Sequence, residues 1–127
     1  MALTVPPAPL ALIVEDDDKL IDIFSQALTL AGFSIKSSMD GQDAIDLLKS
    51  IRPTIVLLDL HLPGAPGEKV LSAIRQDEHL KGVQVILATA DPSIADMLED
   101  RSDYILQKPI SFGQLRDLAI RIRSSLS

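Results

Sequence analysis

Five polar side chains with the chemistry of a cation-binding site each follow a short apolar run of this sequence. They are Glu15, Asp16, Asp59, Thr89 and Lys108. Paired carboxylates such as Glu15 and Asp16 are what a hard cation, for example Mg²⁺, requires as ligands. Asp59 ends an almost wholly apolar run, and burying its charge without a partner would be costly. We therefore expect Asp59 either to serve as a cap or to have a cation and a lysine beside it.

The elements that must position these side chains follow from an alternation of strand-like and amphipathic runs. Strands are predicted at 10–14, 33–37, 54–59, 83–88 and 104–106. Helices are predicted at 17–31, from Asp40-Gly41 to 51, and at 68–79, 91–100 and 111–126. Five β-α units predict the α/β class, a flavodoxin-like, doubly wound five-stranded parallel sheet of order 2-1-3-4-5 with five helices. Ligands of such sheets bind beyond the carboxyl ends of the strands, where the five polar side chains should meet.

The composition narrows the classes of protein that this chain can be. Its 127 residues fit one domain, with residues 1–9 predicted as a Pro-rich N-terminal arm or linker and 10–127 as the folded domain. A net charge of -6 argues against direct binding of nucleic acid or anionic lipid. There is no cysteine, no signal peptide and no apolar run near the about 20 residues that span a bilayer. A cytoplasmic location without membrane association is expected.

Each of the five side chains also has an ordinary structural interpretation. Asp17 and Asp18, which continue the acidic run, complement the dipole of the first helix. Thr89 alone is a common β-branched strand residue, and Lys108 alone would be a solvated charge beside a turn. These separate interpretations do not explain why four strands bring two acids, one acid, a hydroxyl and a lysine to the same edge. The combination therefore predicts a functional site.

The combination resembles the receiver domain of two-component response regulators over residues 10–126. The matching segments are Val14-Glu15-Asp16, Leu58-Asp59-Leu60-His61-Leu62-Pro63-Gly64, Ala88-Thr89-Ala90 and Lys108-Pro109. The resemblance implies that Asp59 accepts a phosphoryl group and that Thr89 and Lys108 contact its oxygens. It also implies a Mg²⁺ site, and the ligands would be Glu15, Asp16, Asp59 and the backbone carbonyl of His61. The Lys108-Pro109 bond is often cis in this family.

The resemblance further implies a switch and not an enzyme with a separate substrate, although the domain would catalyse its own phosphorylation and dephosphorylation. The implied donor is a sensor histidine kinase or a phosphotransfer domain, and the implied receiver of the signal is an output domain, a downstream protein or a second copy of the chain. Family members usually carry an aromatic residue three positions before the lysine, where it moves with Thr89. Ile105 occupies that position here, and Tyr104 should point to the opposite face of the strand.

Three other functions are weighed against this one. A phosphorylation-independent interaction module with the same fold would not need all five side chains. A phosphatase of the haloacid-dehalogenase type needs a second Asp two residues after the nucleophile, where His61 stands. A flavin or nucleotide binder needs a Gly-rich phosphate loop after the first strand, and the acidic run occupies that place.

Overall fold

The computed structural model describes residues 7–126, which form a parallel sheet of five strands connected by helices. The strands are β1 (Leu10–Val14), β2 (Ser34–Ser38), β3 (Ile55–Asp59), β4 (Gln84–Thr89) and β5 (Tyr104–Gln107). The helices are α1 (Asp18–Leu30), α2 (Gly41–Leu48), α3 (Gly67–Gln76), α4 (Pro92–Leu98) and α5 (Phe112–Ser125). The strand order is β2-β1-β3-β4-β5, and every neighbouring pair is parallel. The predicted fold class and strand order are confirmed.

Two apolar layers, one on each face of the sheet, hold the fold together. Alternate residues of the central strands point to opposite faces, as the pleat requires. Ile13 and Leu57 pack in the layer that contains the apolar side chains of α1 and α5, such as Phe24. Leu12 and Val56 pack in the layer that contains those of α2, α3 and α4. The central strands are buried on both faces, which explains their continuous runs of apolar residues.

Side-chain caps mark the starts of four of the five α-helices of residues 7–126, and α3, which follows Pro66, has none. Asp17, Asp40, Asp91 and Ser111 each precede a helix in extended backbone and accept hydrogen bonds from its first free N–H groups. The Ser111 hydroxyl, for example, accepts from the backbone N–H of Gln114 at 3.0 Å. The helix starts predicted at Asp40-Gly41, Asp91 and Ser111 are therefore confirmed, and they follow from local chemistry alone.

The predicted helix 68–79 is wrong in its last turn. Asp77 adopts an extended backbone, with φ −97° and ψ 116°, so α3 ends at Gln76. The Asp77 side chain then accepts from the backbone N–H of His79 and starts a 3₁₀ helix, Glu78–Leu80. An aspartate competes for backbone donors and favours caps over helix interiors, which explains the break.

Other boundaries differ from the prediction by short distances. The segment predicted as one helix to residue 100 is α4 followed by a 3₁₀ helix, Glu99–Arg101. The second helix ends at Leu48 instead of 51, and β2 starts one residue later than predicted. Six of the nine residues of the predicted N-terminal arm lie outside the described residues. Within residues 7–126, no helix combines the length and the apolar character needed to cross a membrane.

Candidate functional site

The register of the parallel strands brings the predicted site residues to one edge of the sheet. Asp59 pairs with Ala88 of the neighbouring strand, and the next residue along that strand is Thr89. Thr89 in turn pairs with Gln107, and the residue after Gln107 is Lys108. On each neighbouring strand, the functional residue therefore lies one position beyond the residue that pairs with the previous one. This register places the polar side chains side by side at the carboxyl ends of the strands.

Three carboxylates form a cluster at this edge. One oxygen each of Glu15, Asp16 and Asp59 lies within 4.8 Å of the others. Glu15 and Asp59 are buried, with 2% and 3% of their surface exposed, whereas Asp16 is exposed to solvent. The cluster is thus a buried pair of acids with a third acid at its solvent side, and an oxygen donor set of this kind fits a hard divalent cation.

Lys108 contacts both buried carboxylates. Its Nζ lies 3.0 Å from Glu15 Oε1 and 3.1 Å from Asp59 Oδ2. Burial acts to lower the pKa of Lys108, but the hydrogen bonds to the two carboxylates outweigh it and raise that pKa above its usual value. The peptide bond between Lys108 and Pro109 is cis, as the resemblance implied. One ammonium group therefore contacts two buried carboxyl groups.

Backbone N–H groups satisfy the remaining oxygens of the two buried acids. Glu15 Oε2 accepts from Asp16 N at 3.0 Å and from Asp17 N at 3.3 Å. Asp59 Oδ1 accepts from the backbone N–H of His61 at 3.0 Å. Each carboxylate is therefore held between the lysine on one side and the chain that follows its own strand on the other, so its orientation is determined locally.

The Thr89 hydroxyl is buried beside the cluster, but it is engaged with the start of the fourth helix. Thr89 Oγ1 accepts from the backbone N–H of Asp91 at 3.0 Å. Asp91 caps that helix, and hydrogen bonds from the hydroxyl and N–H of Ser93 lower the pKa of the Asp91 carboxyl. The imidazole of His61, an exposed side chain, adds a small contribution in the same direction. Thr89 and Asp91 are thus joined at the start of the fourth helix, and the His61 imidazole lies close enough to act on the Asp91 carboxyl.

The comparison with known proteins decides the family. The family model described as "Response regulator receiver domain" matches residues 11–120. The chain belongs to this family. It is 31% identical over 113 residues to the transcriptional regulatory protein AfsQ1 of Streptomyces coelicolor, an alignment that covers 89% of this chain and 50% of that protein. The receiver domain therefore spans about half the length of the curated relatives it matches.

Solved structures share the fold of this receiver domain. A DNA-binding response regulator of the LuxR family from Staphylococcus aureus is 28% identical, with a TM-score of 0.78 over 91% of this chain and 98% of that one. The receiver domain of the sensor histidine kinase PA1611 from Pseudomonas aeruginosa PAO1 is 25% identical, with a TM-score of 0.81 over 93% and 99% of the two chains. That structure contains a magnesium ion coordinated in its active site cleft.

Ile105, at the predicted switch position, and its neighbour Tyr104 face opposite layers of the receiver domain. Ile105 packs against the layer that contains the second, third and fourth helices. Tyr104 packs against the layer that contains the first and fifth helices. The predicted alternation is confirmed, and the side chain on the side of the fourth helix is aliphatic.

Sequence analysis did not single out Ser38, which is buried next to the receiver site. Its hydroxyl donates to Asp43 Oδ2 at 2.7 Å and lies 3.0 Å from the carbonyl of Asp40. Its own carbonyl accepts from the backbone N–H of Glu15 at 3.0 Å. A serine at the end of an exposed edge strand has no signal in sequence, because its role depends on pairing with the first strand.

The free energy of unfolding of the metal-free receiver domain should depend on Glu15. Burial raises the pKa of Glu15 to about 7 from 4.5, the charge of Asp59 adds to this, and Lys108 opposes it. The folded state therefore binds this proton more tightly than the unfolded chain, so the stability that the proton provides is present at low pH and is lost as the pH rises towards 7. We expect a loss on the order of 2 kcal/mol.

Urea denaturation in EDTA between pH 4.5 and 8 tests this expectation. The free energy of unfolding of wild type minus that of Glu15→Gln should fall across the interval, because glutamine has no proton to lose. A constant difference between the two proteins would show that Glu15 does not titrate there.

Proposed function

We propose that Asp59 of this receiver domain accepts a phosphoryl group from a phosphohistidine, carried by a sensor histidine kinase or a phosphotransfer domain. One observation carries the proposal: the buried Asp59 carboxylate lies within 4.8 Å of two further carboxylates and 3.1 Å from an ammonium group. Two buried carboxyl groups share a single ammonium group, an arrangement that favours a divalent cation and a transferable anionic group. A purely structural acid would need only the lysine.

The donor atoms fit Mg²⁺. Glu15, Asp16 and Asp59 would hold the ion with the backbone carbonyl of His61, and all four donors are hard oxygens. Mg²⁺ supplies positive charge that allows three crowded carboxylates to stay ionised and that stabilises negative charge on phosphoryl oxygens. The ion in the related PA1611 receiver domain supports this assignment.

The residues of the chain have distinct roles in the transfer. A carboxylate oxygen of Asp59 attacks phosphorus as the bond from phosphorus to the donor imidazole nitrogen breaks, and that nitrogen keeps the electron pair. The ammonium of Lys108 and the hydroxyl of Thr89 stabilise the phosphoryl oxygens. Water later attacks phosphorus, releases inorganic phosphate and restores the carboxylate. Since the modified group belongs to the protein, the domain acts as a switch and not as an enzyme with a separate substrate.

The partners follow from this role. The donor kinase or phosphotransfer domain must approach the exposed side of the acid cluster, where Asp16 lies. The response is passed to an output domain, a downstream protein or a second copy of the chain. A phosphorylation-independent interaction module is the competing function, and it would leave two buried acids and a lysine without a purpose. DNA binding belongs to the related regulators, and the net charge of -6 disfavours it for this domain.

Mg²⁺ should stabilise the wild-type protein through Asp16. At a Mg²⁺ concentration ten times the Kd, the free energy of unfolding should rise by about 1.4 kcal/mol. Asp16→Asn should lose most of that increase and should raise the stability of the metal-free protein, because one of three repelling charges is removed. Denaturant titrations with Mg²⁺ and with EDTA measure both effects.

The matched control for Asp16 is Asp18→Asn. Asp18 is an exposed acid in the first turn of the adjacent helix and lies outside the cluster. It should keep the full Mg²⁺ response. An unchanged response in Asp16→Asn would refute the assignment of Asp16 as a metal ligand.

Phosphorylation should alter the start of the fourth helix through Thr89. If the Thr89 hydroxyl turns toward a phosphoryl oxygen, Asp91 N loses its 3.0 Å acceptor, and Ile105 can repack on the same side of the sheet. Adding beryllofluoride, which mimics the aspartyl phosphate, should therefore shift NMR signals from Asp59 through Asp91 to Ile105. In Thr89→Val, which has the same shape without the hydroxyl, the shifts should stay near Asp59. The same pattern in both proteins would exclude this route.

A further inference from the structure

We propose that Asp40 and Gly41, which form a corner at the start of the second helix, position the acceptor loop that follows Asp59. The acceptor loop comprises residues 60–66. Asp40 and Gly41 lie outside the acid cluster, so they would act as positioning residues and not as ligands. The inference rests on the proposed function, because the property that they would control is the affinity of the Asp59 site for Mg²⁺.

Gly41 approaches the backbone of the acceptor loop more closely than any other residue type could. Its N–H donates to the carbonyl of Pro63 at 3.0 Å. A Cβ atom at Gly41 would overlap the carbonyl oxygen of Ala65 and lie 2.7 Å from its carbonyl carbon. These obstacles are backbone atoms, so a side chain at position 41 could be accommodated only if the loop or the second helix moved.

Asp40 makes a second contact with the same loop. Gly64 has φ +76°, and a Cβ atom there would lie 2.6 Å from Cγ of Asp40. The Asp40 carboxylate is itself fixed, because Oδ1 accepts from Gln42 N at 2.7 Å and from Asp43 N at 3.1 Å. The cap of the second helix therefore also serves as the surface against which Gly64 packs.

Both ends of the acceptor loop lie against Asp59. The backbone N–H of His61 donates to Asp59 Oδ1 at 3.0 Å. A Cβ atom at Gly67, just after the loop, would lie 2.6 Å from both Asp59 O and the Cα of Leu60. The loop is thus held tightly at both ends, and a displacement in its middle would be transmitted to Asp59 and to the carbonyl of His61.

The corner is connected to the other buried acid as well. The Ser38 hydroxyl oxygen lies 3.0 Å from the carbonyl oxygen of Asp40, and the Ser38 carbonyl accepts from Glu15 N at 3.0 Å. One short segment therefore contacts the chain on both sides of the acid cluster. Contacts of this kind can fix the distance between the two acids. Metal affinity depends strongly on the groups that orient the ligands.

A simpler interpretation is that Asp40 and Gly41 only start a helix. In that case their replacement would lower global stability and leave the Mg²⁺ affinity of the folded protein unchanged. The two interpretations therefore differ in a measurement made on folded protein.

The test compares Gly41→Ala with Gly113→Ala. A Cβ atom at Gly113, in the fifth helix, would have its nearest neighbour, Arg116 Nη2, at an ordinary 3.7 Å. Isothermal titration with Mg²⁺, on samples shown to be folded by circular dichroism, should give Gly41→Ala a Kd raised about tenfold and Gly113→Ala the wild-type Kd. The amide signal of His61 in metal-free protein should also shift in Gly41→Ala only.

A second pair of variants applies if Gly41→Ala does not fold. Gly64→Ala should also weaken Mg²⁺ binding, because its methyl group meets the Asp40 carboxylate and because a φ of +76° strains residues other than glycine. Asp40→Ser keeps a capping oxygen but removes that obstacle, so the double variant should recover part of the lost affinity. Wild-type Kd values in Gly41→Ala or Gly64→Ala would overturn the positioning role alone. A wild-type protein that binds no Mg²⁺ would instead overturn the proposed function.

Discussion

Incubation of the wild-type protein with acetyl phosphate and Mg²⁺ should place one phosphoryl group on Asp59, and Asp59→Asn should take none. The expected loss is complete, because a neutral amide oxygen is a poor nucleophile toward phosphorus and the variant also removes one of the three carboxylates that would bind the metal. The neighbouring lysine and acids keep the site intact in other respects, since asparagine has the same size. Intact-protein mass spectrometry measures the adduct, and peptide mapping locates it.

The matched control for this experiment is Asp91→Asn. Asp91 lies at the same edge of the sheet and caps the fourth helix, a role that asparagine also fills. Asp91→Asn should therefore be phosphorylated in the presence of Mg²⁺. The wild-type protein should be phosphorylated with Mg²⁺ and should not be phosphorylated in EDTA. An adduct mapped to another residue of the wild-type protein would contradict the assignment of Asp59.

Lys108→Met should strongly destabilise the metal-free protein near neutral pH. Lys108 Nζ is within 3.1 Å of both buried carboxylates, and methionine retains the apolar stem without the charge. The side chains of Glu15 and Asp59, which are 3% and 4% exposed, would lose their shared cation. Removing one partner of a buried ion pair costs about 3 kcal/mol or more, and the partial exposure of Lys108 reduces our expectation to about 2 kcal/mol.

Two comparisons isolate this charge effect. Lys49→Met removes the lysine of an exposed pair with Asp46, whose side chains are 71% and 58% exposed, and it should change stability little. Adding Asp59→Asn to Lys108→Met should restore part of the lost stability, because one unpaired charge disappears. If urea denaturation in EDTA shows equal losses for Lys108→Met and Lys49→Met, the buried carboxylates do not depend on the lysine.

Local chemistry accounts for most of the element boundaries that sequence analysis predicted correctly. Leu10–Val14 was predicted to the residue because an apolar run is followed at once by acids. Gly32, with φ +101°, follows the first helix directly after the predicted last residue, 31, since glycine adopts this backbone without strain. Asp77 shows the limit of this reasoning. The amphipathic pattern continued past it, and a side-chain cap, which competes with the helix, ended the third helix three residues early.

The sequence by itself determined which residues stand at the carboxyl ends of the strands. Each of the positions Glu15, Asp59, Thr89 and Lys108 ends or directly follows a recognisable strand, and a parallel sheet must bring such ends to one edge. That inference needs only local patterns and the handedness of β-α-β connections, so it required no knowledge of side-chain contacts.

Only the tertiary structure decided how those residues interact. Lys108 pairs with Glu15, 93 residues away, because the first and fifth strands lie in one sheet at a particular register, with the third and fourth strands between them. The Thr89 hydroxyl bonds to the start of the fourth helix, and Gly41 packs on the backbone of Ala65. Such contacts depend on the path of the whole chain to within about an ångström, and a close-packed interior transmits small displacements. No periodicity or spacing along the sequence encodes distances of that kind.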